Sequence, residues 1–131
     1  MIDIENMLFT KVKNGLPKTV KTGTTYARVQ SEFPYVTLIV MDNSVYTPFI
    51  DSARIENAVD IMVEVNIYSN KTSGKKEECK KLMKTVDEIL SGLNLVRTFC
   101  QPTPNLEDAT VYRITARYRA IVDKNLMIYR R

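Results

Sequence analysis

At 131 residues the chain is one domain's worth, since domains usually hold roughly 100–200 residues. Its 44% apolar and 26% charged content, with four Gly and five Pro, excludes disordered, collagenous and low-complexity classes. It has no His, which removes the commonest general base and metal ligand together, and a net charge of +4 is too mild to diagnose a nucleic-acid binder.

Residues 3–15 read as a short amphipathic helix. Asp3 is placed to cap it, Ile4, Met7, Leu8 and Val12 follow helical spacing, and Gly15 stops it ahead of Pro17. The acidic start lacks a basic n-region and an apolar h-region, so no secretory signal is expected. Residues 16–32 are polar, with Pro17, Gly23 and a threonine cluster. They predict an extended or looped connector carrying Lys18, Lys21 and Arg28, either solvated or touching a neighbour. Pro34 then opens Tyr35-Val36-Thr37-Leu38-Ile39-Val40-Met41, whose continuous apolar and β-branched character predicts a strand covered on both faces. Asp42-Asn43-Ser44 is expected to be a turn. The aromatic segment 45–50 follows, and Pro48 demotes it to an edge strand or hairpin arm.

Residues 59–68 alternate with a period of two. Val59, Ile61, Val63, Val65 and Ile67 face one way; Asp60, Met62, Glu64, Asn66 and Tyr68 face the other. That pattern predicts a half-buried strand, and burying each of the five aliphatic side chains contributes roughly 1.5–3 kcal/mol. The polar run 69–74 ends the strand and offers caps to a helix over 74–92. Cys79, Leu82, Met83, Val86, Ile89, Leu90 and Leu93 share one arc of that helix. Its opposite, lysine-rich face is expected to be solvated. Residues 95–101 predict a strand that Pro102-Thr103-Pro104-Asn105 terminates. Residues 111–123 alternate again, with Tyr112, Ile114, Ala116, Tyr118, Ala120 and Val122 on one side and Val111, Arg113, Thr115, Arg117, Arg119 and Ile121 on the other. Asp123-Lys124-Asn125 turns the chain into a last short strand over 126–129. No apolar run approaches the ~20 residues of a membrane-spanning helix. Cys79 and Cys100 read as reduced thiols packed as small apolar residues, as in a reducing cytoplasm.

No catalytic, cofactor or metal site is legible. Ser73-Gly74-Lys75-Lys76 lacks the upstream glycine of a phosphate loop, and neither cysteine has a histidine to activate it. The acidic residues at 51, 56, 60 and 64 lack a cation-binding loop motif, so Asp60 and Glu64 read as exposed strand polarity. Arg113, Arg117 and Arg119 repel one another unless anions sit opposite. Those anions are Asp60 and Glu64 if the two alternating strands pair, an acidic patch on another subunit, or nucleic-acid phosphate. The absence of an aromatic RNA-binding motif disfavours the last. Charge also falls in blocks: residues 31–70 hold one basic and six acidic groups, and 71–84 hold six basic and two acidic. Such blocks suit separate positive and negative faces that a self-associating domain uses.

The element order is helix, connector, β-hairpin region, strand, helix and three strands. Phe33-Pro34-Tyr35 enters an apolar strand, and the alternating strand closes on Ile67-Tyr68-Ser69. A Gly74-led helix carries Leu82, Val86 and Leu90, and the final segments contain Tyr112-Arg113-Ile114-Thr115-Ala116-Arg117-Tyr118-Arg119-Ala120 and Ile128-Tyr129-Arg130. In these features the chain resembles, over nearly its whole length, the tail-terminator (tail-completion) proteins of long-tailed bacteriophages and prophages. The resemblance implies a single α+β domain over 1–131, with a mainly antiparallel sheet packed by two helices at about 3–15 and 74–92. It implies a subunit of a six-membered homo-oligomeric ring at the head–tail junction of the virion, made in the host bacterial cytoplasm. Such a ring caps the head-proximal end of the tail tube, stops its polymerisation and docks the head connector. Genomic DNA passes through its lumen, and no catalytic residue, cofactor or membrane is involved. Tyr46 and Phe49, on the aromatic arm, and Arg113, Arg117 and Arg119 are the interface candidates. The alternatives are another head–tail connector or tail-tube subunit, and a small nucleic-acid-binding domain using the lysines of 71–84 or the arginine face.

Overall fold

A computed structural model describes residues 1–24, 33–46, 58–103 and 110–129. Its elements in chain order are α1 (Glu5–Gly15), β1 (Lys21–Gly23), β2 (Tyr35–Val45), β3 (Ala58–Ser69), α2 (Lys75–Gly92), β4 (Val96–Pro102), β5 (Tyr112–Asp123) and β6 (Ile128–Tyr129). The six strands form one sheet in the order β1-β2-β3-β5-β4, and β6 pairs with the far end of β5. Every pairing is antiparallel except that of β1 with β2. This is an α+β fold with a mainly antiparallel sheet and two helices.

The alternating strands sit at the centre because their patterns demand it. Val59, Ile61, Val63, Val65 and Ile67 of β3 lie opposite Val122, Ala120, Tyr118, Ala116 and Ile114 of β5, and all ten are buried. Leu8 and Val12 of α1 join Cys79, Leu82, Met83, Val86 and Leu90 of α2 over this same face to make one core. Burial of that apolar face is the main stabilising term. The helices also meet each other: a Cβ on Gly15 would press on the end of the Ile89 side chain, which would have to shift to make room.

Several expectations need correction. Asp42-Asn43-Ser44 is not a turn, because β2 runs on to Val45 and pairs with β3 throughout, with a register shift between Val40 and Asp42. Cross-strand pairing outweighs the local turn preference, and the extra residue, Met41, is absorbed as a bulge. Val45 therefore ends β2 rather than opening a separate arm, and 47–50 lie outside the described residues. The 69–74 run gives α2 no side-chain cap; the cap position is Gly74, in left-handed conformation at φ 81°. Asp3 accepts the Glu5 N–H at 3.0 Å, one residue ahead of the cap position, Ile4. Cys79 is buried as expected, whereas Cys100 is exposed, because β4 is an edge strand covered by little. Glu64 is not exposed strand polarity either, being buried on the sheet face away from the helices.

Candidate interaction surface

The face of the sheet turned away from the helices is built by the second set of alternating residues. Register puts Glu64 opposite Arg117, Asn66 opposite Thr115 and Tyr68 opposite Arg113. The resulting polar ladder is hydrogen-bonded across the strands. Arg117 Nε donates to Glu64 Oε2 at 3.1 Å, and Asn66 Nδ2 donates to Glu64 Oε1 at 3.0 Å. Asn66 Oδ1 accepts from Arg113 Nε at 2.9 Å and from Thr115 Oγ1 at 2.8 Å. Thr103 Oγ1 lies 2.8 Å from Thr115 Oγ1 and lengthens the chain by one hydroxyl. Glu64 is 3% and Asn66 0% exposed, so each depends on these partners for the hydration it has lost.

Aromatic rings complete the face. The Arg113 guanidinium lies 5.5 Å from the Tyr68 ring centroid and that of Arg117 lies 5.3 Å from the Phe99 centroid, both within cation–π range. Tyr35 meets Tyr68 edge-on, with centroids 6.3 Å apart. At the other end, Arg119 Nε stands 4.0 Å from Asp60 Oδ1, an ion-pair distance rather than a hydrogen bond.

The three arginine candidates are thus brought onto one face and matched to partners within the chain: Glu64 for Arg117, Asp60 for Arg119 and Asn66 for Arg113. Cross-strand pairing, the first of the three origins considered for their anions, supplies one to Arg117 and one to Arg119, whereas Arg113 meets a neutral amide and the Tyr68 ring. The side chains of Arg117 and Arg119 remain 44% and 37% exposed, so part of each guanidinium still reaches the surface. Tyr46 follows β2, where its N–H bonds the Ala58 carbonyl at 2.9 Å, at the opposite end of β3 from Tyr68 and Arg113. It does not join the arginine ladder, and Phe49 lies outside the described residues. Asn66, Thr115 and Phe99 were missed as members of the face. The period-two pattern did place all but Phe99 on that side, but alternation reports direction and not company.

Among the described residues, no group of three or more Cys, Asp or Glu side chains is arranged to hold a metal ion, and no helix is long and apolar enough to cross a membrane. On the helix side, Tyr118 donates to Asp87 Oδ1 at 2.7 Å, and Asp87 also pairs with Arg97 at 3.3 Å. This tie fixes α2 to β5 and β4. Compared with known proteins, the chain matches no protein-family model and no curated protein by sequence.

Proposed function

We propose that this chain is a tail-terminator-type structural subunit of a bacteriophage virion. It assembles with copies of itself into a six-membered ring on the head-proximal end of the tail tube. There it ends tube growth, presents a docking surface to the head connector and leaves a lumen for DNA. The observation that carries this reading is the polar ladder of Glu64, Asn66, Arg113, Thr115 and Arg117. Its groups satisfy one another across β3 and β5 instead of converging on a cleft where a substrate would react, which suits a stiff platform for assembly. The α+β architecture is the one the resemblance implies, although a fold supports a function without assigning it.

The test is to mix the purified protein with growing tail tubes of the cognate tube protein and image them by electron microscopy. One additional ring at a single end, with tube length limited, is the expected result. Tubes that stay uncapped and unaltered would remove the proposal, and tubes that lengthen by incorporating this chain would make it a tube subunit.

A further inference from the structure

Between α2 and the β4 edge lies an open apolar groove of about 290 Å³, floored by Met83, Pro102, Tyr112 and Ile114 beside Cys100, with Lys80 and Lys84 on its border and no carboxylate lining it. Both lysines are exposed, and nothing within the described residues fills the groove. Across the sheet from the groove, two strands away from β5, the outer half of β2 packs against the start of the chain. There Asn43 Nδ2 donates to the Ile2 carbonyl at 2.7 Å, and the Glu5 carboxylate accepts the Val40 N–H at 2.9 Å. This second region exposes Met1, Met41 and Val45 among the carboxylates of Asp3, Glu5 and Asp42.

We propose that the lysine-bordered groove receives the outer end of β2 from a second copy of this chain, with Met41 entering the apolar floor and Asp42 facing Lys80 and Lys84. Charge complementarity selects this occupant. One patch is apolar with cations and no lining anion; the other is apolar with anions, and both belong to every subunit. Opposite charges meeting at an interface steer association and fix register. The bulge at Met41 suits the role, since bulges re-aim side chains at sheet edges and methionine adapts to an irregular apolar hollow. Because groove and insert are different patches, one beside β4 and the other on β2 beyond its pairing with β1 in the order β1-β2-β3-β5-β4, the contact is head-to-tail. Each contact uses one groove and one β2 end, so every added copy offers the next pair, and the chain of contacts ends only when a ring closes. The contact presupposes the self-association of the proposed ring, but not what that ring caps.

Charge reversal on the full chain tests it, with folding checked by circular dichroism. The variant K80E/K84E has acidic groups on both patches, and D42K loses the acidic complement of its insert. Each alone is expected to weaken self-association at least about tenfold, measured by sedimentation velocity and native mass spectrometry. Where rings form only on tail tubes, tube capping is the readout. An equimolar mixture of the two variants restores complementary contacts and is expected to assemble again, with the two proteins alternating. Variants that assemble as well as the parent, or a mixture that fails to rescue, would overturn the contact while leaving the ring intact. A parent chain that stays monomeric at every concentration and caps no tube would instead overturn the ring reading, and the contact with it.

Discussion

Asn66 shows how a single side chain can fix the open face of the sheet. It is fully buried, and its amide holds Glu64 on one side and Arg113 and Thr115 on the other. Removing it leaves a buried carboxylate and a buried hydroxyl each short of a partner, which typically costs about 1–3 kcal/mol. Asn66→Ala is expected to lose about 2 kcal/mol in urea denaturation. Its cross-strand neighbour Thr37 behaves in the opposite way. Thr37 Oγ1 is buried and has no hydrogen-bond partner among the described residues, so its desolvation is uncompensated. Replacing such a group by an apolar one of the same shape is neutral or stabilising. Thr37→Val is therefore expected to hold or raise the midpoint. If both variants destabilise equally, satisfaction of polar groups is not what distinguishes the two positions.

Elements, in contrast, owe their limits to backbone conformation as much as to side-chain partners. Helix α2 starts from Gly74 at φ 81° with no side-chain cap, a conformation that costs a residue with a Cβ about 1–2 kcal/mol. Gly74→Ala is expected to destabilise by about 1 kcal/mol and Gly74→Asn by less, since Asn tolerates the left-handed region better. Thermal denaturation of the pair checks this, and an alanine variant as stable as the parent would show that the helix start relaxes freely. The extent of α2, β3 and β5 was legible in the sequence because periods of 3.6 and two record which side is dry. The continuity of β2 was not. Asp42-Asn43-Ser44 carries turn chemistry, and only the neighbouring β3, nearly twenty residues later in sequence, supplies the pairing that overrides it. The burial of Glu64 was equally hidden, because alternation marks the non-helix side without saying that Arg117 and Asn66 will enclose a carboxylate there. The groove escaped notice for a related reason: Lys80 and Lys84 looked like a solvated helix face, and Met83 meets the rest of the floor only through β4 and β5.

The molecule as a whole is clamped by two ionisable groups that fold in their neutral forms. Cys79 lies on the buried face of α2 with its Sγ 3.6 Å from the Tyr112 carbonyl and 3.8 Å from that of Ile67. Burial, reinforced by the negative charge of Glu78, pushes its thiol from an ordinary 9.0 up to about 12. Tyr118 is raised as well, first by burial and then by its hydrogen bond to the Asp87 carboxylate, which opposes a phenolate. In both cases the unfolded chain gives up its proton at a lower pH than the folded one. The contribution to stability is therefore complete below the unfolded values, 9.0 for Cys and about 10 for Tyr, and shrinks as pH rises towards the folded ones. Urea midpoints are expected to be flat near neutrality and to fall progressively above about pH 9. Cys79→Ala and Tyr118→Phe each lower stability at neutral pH, yet each should make the alkaline decline shallower, and the double variant shallower still. Tyr112, raised first by burial, and Tyr129, raised first by its hydrogen bond to Asp123, leave a residual slope, so a double variant whose decline is as steep as the parent's would remove Cys79 and Tyr118 as its source.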